Sequence, residues 1–130
     1  MEIAVERLAA LVLILTCASH IALPGAWVRL FSAVRAQGEA AGLINAAVHL
    51  PLGLMIAAFH PVWSWPGVIV TLVGWGLVVK GAAHLIAPSL SQRTLKLVDA
   101  DDGAQRIRLG GIIMLPLGLV IGWIALGGLR

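Results

Sequence analysis

Lys80 and His84 lie four residues apart, Asn45 and His49 repeat that spacing, and His20 stands by itself; each interrupts an otherwise apolar stretch. A spacing of four puts two side chains on one helix face. Polar groups inside apolar helices are costly, which makes these residues the first candidates for chemistry. The Lys80 ammonium suits an ion or proton relay, or a contact to a lipid phosphate. Its long stem also lets it snorkel to a membrane surface. Asn45 and His49 offer hydrogen bonds between helices. His20 and His84 each sit shortly before a proline, Pro24 and Pro88, at a helix C-terminus that favours a cation. A metal held between these two imidazoles would lack carboxylate or thiolate support. The single cysteine, Cys17, excludes an intramolecular disulfide and a thiolate metal site. No Walker loop, dinucleotide fingerprint, nucleophile elbow or His-Glu-x-x-His motif occurs. The expectation is a non-enzymatic protein with no cofactor and no metal.

The elements that carry these residues follow from composition. Of 130 residues, 60% are hydrophobic and 12% charged. Soluble domains carry about 45–50% and about 25%. Those proportions exclude a disordered chain, a coiled coil and nearly every soluble fold, and leave a polytopic membrane protein. Apolar runs cover about 8–23, 40–59, 67–87 and 109–129, the first reaching back towards Ile3. Each is close to the roughly 20 residues that span a bilayer as a helix. Backbone in lipid must bond to itself, and the alternating polarity of a β-barrel is missing, so the spans are helices. Glu2 and Glu6 beside Arg7 make a poor signal-peptide start, and the first run reads as a span. No Asp or Glu occurs within the apolar runs 8–23, 40–59, 67–87 and 109–129 themselves, so no acid is expected within a span and Lys80 has no acidic partner there. A small multidrug-type transporter, also four-helical, needs such a carboxylate.

A net charge of +3 reads here as membrane topology, not as nucleic-acid binding. Arg29 and Arg35 follow the first span, and Arg93, Lys96, Arg106 and Arg108 follow the third. Only Arg7 and Arg130 lie at the other face. Both termini are therefore expected outside and the two longer loops inside, on the cytoplasmic face. Trp63 and Trp65 fit the outer aromatic belt and Trp27 the inner one, while His60 is expected to face headgroups or water at the outer end.

An internal duplication organises the chain. Ala18-Ser19-His20-Ile21-Ala22-Leu23-Pro24 matches Ala82-Ala83-His84-Leu85-Ile86-Ala87-Pro88, and the register continues to pair Arg29 with Arg93. After one inserted residue, Leu50-Pro51-Leu52-Gly53-Leu54 matches Leu115-Pro116-Leu117-Gly118-Leu119. The reading is a single membrane domain over 1–130, an all-α bundle of four transmembrane helices. Two parallel helix-hairpin repeats, about 1–62 and 66–130, are related by a pseudo-two-fold along the membrane normal. Pro51 and Pro116 should kink their helices alike. Gly42 with Ala46, and Gly118 with Gly122, permit close helix packing. In the first connecting segment Trp27, Leu30, Phe31 and Val34 recur at helical spacing, with Arg29, Ser32 and Arg35 largely elsewhere. That pattern fits a short amphipathic helix on the inner leaflet near anionic headgroups. The matching segment, 91–102, ends in Asp99, Asp101 and Asp102 and reads as a solvated loop.

The stretch His60-Pro61-Val62-Trp63, then Val68 to Thr71, Gly74-Trp75, Lys80-Gly81 and Pro88 resembles a functionally uncharacterised group of small four-span bacterial integral membrane proteins. The resemblance covers about 51–88. It implies a bacterial inner-membrane location, with both termini then periplasmic and the longer loops cytoplasmic, draws attention to His60, Trp63, Trp75 and Lys80, and supplies no activity. The leading functional expectation is a structural or accessory protein, acting as a homo-oligomer or as a subunit of a larger membrane complex. A second is a small transporter or channel lined by Lys80, His84 and His49. A third is binding of anionic membrane lipid at the basic cytoplasmic face through Arg29, Arg35 and Arg93.

Overall fold

A computed structural model describes residues 1–98 and 101–128. Asp99 of the acidic segment, the end of the expected fourth span and Arg130 lie outside the described residues. The elements among the described residues are all helices: α1 (Glu2–Ala22), α2 (Pro24–Arg35), α3 (Ala40–Phe59), α4 (Val68–Ile86), α5 (Ser89–Lys96) and α6 (Gly103–Ala125). Four of these, α1, α3, α4 and α6, are long and apolar enough to cross a membrane.

Two boundaries differ from those read off hydropathy. Helix α6 starts at Gly103, not near Leu109. Asp102 stands at its N-cap and accepts a 2.8 Å hydrogen bond from Arg106 Nε. An acid at the positive end of a helix favours the extra turns, and the Arg106 bond holds the Asp102 carboxyl below the usual carboxylate range. Helix α1 starts at Glu2, so Glu6 lies inside a spanning helix. The expectation that no acid falls within a span is therefore corrected. Val5, Glu6, Ala9 and Ala10 form the buried stripe of this first half of α1.

The long helices pack as two antiparallel pairs, α1 with α6 and α3 with α4, and glycines set their separation. A Cβ placed on Gly53 would lie 2.6 Å from the backbone nitrogen of Val78 and 2.9 Å from the carbonyl of Gly74. On Gly81 it would lie 2.8 Å from Leu50 N, and on Gly42, 2.8 Å from the His84 carbonyl. In the other pair, one on Gly111 would meet the Cys17 carbonyl at 2.8 Å and one on Gly118 would meet Ile14 Cγ1 at 3.0 Å. Gly122 packs more loosely, 3.7 Å from Ala10 Cβ, and Ala46 is buried. The expected packing residues thus face neighbours within the same chain. In lipid, where apolar burial drives little association, such backbone proximity is a main source of helix pairing. Val5, Ala9, Ala10, Ile56, Val70 and Ile121 join the two pairs in one apolar core. Pro51 and Pro116 lie inside continuous helices.

Helices α2 and α5 lie together at the end of the bundle opposite the 60–67 connection. Residues 91–96 of the segment expected as a solvated loop instead belong to α5, with Ser91 and Leu95 buried, while Asp101 and Asp102 lie exposed in a turn before α6. The polar residues of α5 are spent on local and neighbouring backbone. Thr94 Oγ1 donates to the Leu90 carbonyl at 2.8 Å, and Gln92 Nε2 donates to the carbonyls of Gly38 (2.6 Å) and Arg35 (3.1 Å). Gly38 has φ of +62°, a left-handed turn that glycine adopts without strain and that leads from α2 into α3.

Gly53→Val should lower stability by about 2 kcal/mol or more, the usual scale of overpacking in a core. Gly76, with nothing within 4 Å of its would-be Cβ, should accept alanine with a change under about 1 kcal/mol. Reversible unfolding of both variants in mixed micelles checks the contrast.

Candidate functional site

Above α2 and α5, a cavity of about 570 Å³ opens between the spanning helices. All five polar candidates line it: His20 from α1, Asn45 and His49 from α3, and Lys80 and His84 from α4. Their convergence follows from the glycine contacts. Gly81 against Leu50 and Gly42 against His84 bring these parts of α3 and α4 into backbone contact. His49 and His84 then lie across the seam, their ring centroids 6.4 Å apart.

The polar groups are joined in a defined order. Asn45 Nδ2 donates to Ser91 Oγ at 3.0 Å, and Ser91 Oγ lies 2.8 Å from His84 Nδ1. Ser91 Oγ thus accepts from the Asn45 amide and is bonded at the same time to His84 Nδ1. This chain ties α3, α5 and α4 together through a serine that is fully buried. His49 Nδ1 lies 2.7 Å from the Asn45 carbonyl, which accepts only, so Nδ1 carries the proton and Nε2 is left for the cavity. Lys80 is exposed on the same wall and belongs to no ion pair among the described residues.

The opposite wall comes from α2. Trp27, Leu30, Phe31 and Val34, the face read as lying on the leaflet, line this cavity. Trp27 turns inward: its Nε1 donates to Ser19 Oγ at 2.9 Å, and its ring lies 4.3 Å from that of His20. Phe31 lies 6.3 Å from His20 and 5.4 Å from Trp27, on the same side as the indole. His20 is thus held by aromatic neighbours, while His84 sits with His49 and Ser91. Among the described residues no three His, Cys, Asp or Glu side chains gather as a metal-binding group. Arg29 and Arg93 are exposed at this end, as Trp63 and Trp65 are at the other, 63% and 73% accessible.

A second polar cluster escaped the sequence reading. His60 is completely buried, not turned to headgroups or water. Its Nε2 lies 3.1 Å from Glu6 Oε1 and its Nδ1 3.1 Å from Thr71 Oγ1. Glu6 and Thr71 are buried as well. The available signal was the helical stripe Val5, Glu6, Ala9, Ala10, which puts Glu6 on the packed face of α1. Compared with family models, curated proteins and solved structures, the chain matches none.

Ser91→Ala should leave Asn45 and His84 without their shared partner and cost about 1–3 kcal/mol. Amide hydrogen exchange should then quicken over α5 and remain unchanged over the α1–α6 pair.

Proposed function

We propose that this chain is a small, non-enzymatic accessory protein of a bacterial inner membrane that holds an anionic amphiphile of the phospholipid class in the cavity between α2, α3 and α4. One observation carries this reading: an apolar-walled cavity of about 570 Å³ with an ammonium, three imidazoles and an amide on its walls, and no carboxylate among the lining residues. Ligand sites commonly have this size and this ratio of apolar wall to a few placed polar groups. Lys80 supplies the positive charge for an anionic head. The second hydrogen of the Asn45 amide can donate to its oxygens, and the bare Nε2 of His49 can accept from a headgroup hydroxyl. Trp27, Leu30, Phe31 and Val34 supply the surface for an acyl chain.

The excess of Lys and Arg around α2 and α5 orients this end towards the cytoplasm and the termini towards the periplasm. Arg29, Arg35 and Arg93 then face the anionic leaflet, each adding about 1 kcal/mol of attraction. The resemblance over 51–88 supports the bacterial location. Accessory action, as a homo-oligomer or within a larger complex, fits a chain with so little mass outside its helices. A conducting path finds less support. The apolar core around Ala10, Ile56 and Ile121 lies between the Lys80 cavity and the Glu6–His60 cluster.

The two-repeat reading is supported by matched roles. Short helices α2 and α5 follow α1 and α4, and exchanging the halves exchanges the α1–α6 and α3–α4 pairs. Buried small residues coincide at Gly53 and Gly118, Ala10 and Gly74, Ala46 and Gly111, Cys17 and Gly81. A smaller cavity of about 310 Å³ on the α1–α6 side has Thr16, Gly110 and Met114 where the larger one has Lys80, Asn45 and His49. Binding chemistry on this reading belongs to the α3–α4 side of the pseudo-axis, with residues drawn from both repeats.

Native mass spectrometry of the gently extracted protein tests the proposal. The wild type should retain anionic in preference to zwitterionic phospholipid. Lys80→Gln should cut that retention by about tenfold, the worth of one charge-assisted hydrogen bond. Arg93→Gln, at the surface, should reduce it by less. Equal retention of both lipid classes, or no effect of Lys80→Gln, would overturn it.

A further inference from the structure

We propose that Glu6 and His60 form a buried proton-binding site that clasps the start of α1 to the α3–α4 pair. The pair lies at the end of the bundle opposite the Lys80 cavity.

Thr71 fixes the hydrogen-bond directions of the cluster. Its Oγ1 lies 2.8 Å from the His60 carbonyl and 2.7 Å from the Val62 carbonyl. Both carbonyls only accept, so the hydroxyl proton is directed at the two of them and shared between them. The single hydroxyl proton of Thr71 is therefore committed to the backbone. Oγ1 can then only accept from His60 Nδ1, 3.1 Å away, so Nδ1 carries a proton. A neutral imidazole protonated at Nδ1 has a bare lone pair at Nε2. That lone pair faces Glu6 Oε1 at 3.1 Å. A lone pair against a carboxylate oxygen is repulsive in a site this dry, with His60 fully buried and Glu6 3% exposed. One further proton must lie between them, either on Nε2 as imidazolium facing carboxylate or on Glu6 as a carboxylic acid facing imidazole. Both forms hold the contact, and the pair shares the proton.

The surroundings give that proton a route and define its partners. A cavity of about 250 Å³ adjoins the pair, lined by Glu2, Glu6, Ser64, Trp65 and Ile124 among others. Glu2 and Glu6, both from α1, are the charged groups on that lining, and α6 contributes Ile124. Helix α4 contributes the Thr71 hydroxyl, and Glu6 has a further interaction besides His60. The proton comes from water at this face and returns to it, with no other bond made or broken. When it leaves, carboxylate and lone pair oppose each other, the contact between residues 54 apart in sequence is lost, and the first turns of α1 are released.

The test uses the full chain in lipid nanodiscs with ¹⁵N-labelled histidine, the His60 signals assigned by their loss in His60→Gln. Near neutral pH the His60 Nδ1 signal should be of the protonated, pyrrole type. Exchange of the amides over residues 5–10 should rise on going to alkaline pH by roughly tenfold beyond the intrinsic increase, the equivalent of one charge-assisted hydrogen bond. Glu6→Gln should flatten that rise, because the glutamine amide donates to Nε2 without an extra proton. A bare, pyridine-type Nδ1 in the wild type would overturn the proposal, since a neutral ring would then be donating from Nε2 to the carboxylate. An equal rise in Glu6→Gln would overturn it too. If Glu6→Gln fails to fold, the wild-type Nδ1 signal decides alone.

Discussion

Backbone contact along two antiparallel helix pairs is the constraint on which the other features depend. A chain in lipid gains little from burying one apolar side chain against another. It gains from close approach, and close approach needs residues without side chains at the crossing points. Gly42, Gly53, Gly74 and Gly81 supply these points between α3 and α4, and Gly111 and Gly118 do so between α1 and α6. The cavity geometry is a consequence. With Leu50 against Gly81 and Pro88 against Gly42, the polar residues of α3 and α4 face one another, and α5 is set directly over Asn45. A change at one of these glycines therefore moves the polar groups without touching any of them.

Polarity within the bundle is concentrated at two levels. At one, Glu6, His60 and Thr71 are closed off and mutually bonded. At the other, Asn45, Ser91 and His84 form a bonded chain beside an open cavity, with Lys80 exposed on its wall. No buried side-chain nitrogen or oxygen among the described residues lacks a partner. A buried polar group without a partner costs about 1–3 kcal/mol, so this degree of pairing is what allows such residues inside a bundle. The closed cluster joins distant segments of the chain. The open one leaves His49 Nε2 and the Lys80 ammonium for something outside the chain.

Much of this was legible in the residues. The four spans follow from hydropathy, and the prominence of Lys80, His84, His49, Asn45 and His20 follows from the cost of polar groups in lipid. Three features were not. Helix α5 looks like a loop because Ser91, Gln92 and Thr94 are polar; their hydrogen bonds to Asn45, to the end of α2 and to the preceding turn become visible only once the chain is folded. The apolar face of α2 has the right period, but periodicity does not say whether Trp27 and Phe31 meet acyl chains or His20. Glu6 lies close to Glu2 and Arg7, where hydropathy places a membrane edge, and its partner His60 is far along the chain. Only the third-turn register of Ala9 and Ala10 marks its side of the helix as the packed one.

The central claim is that an anionic amphiphile occupies the cavity beside Trp27. The most direct measurement is fluorescence of a variant that keeps Trp27 alone, with Trp63, Trp65, Trp75 and Trp123 replaced by phenylalanine at exposed positions. The protein would be reconstituted with phospholipids brominated on the acyl chains, which quench tryptophan on contact. Brominated anionic lipid diluted into zwitterionic bilayers should quench Trp27 far more than its mole fraction predicts, and Lys80→Gln should remove the excess. Quenching that follows mole fraction alone, equally for both headgroups, would contradict the account.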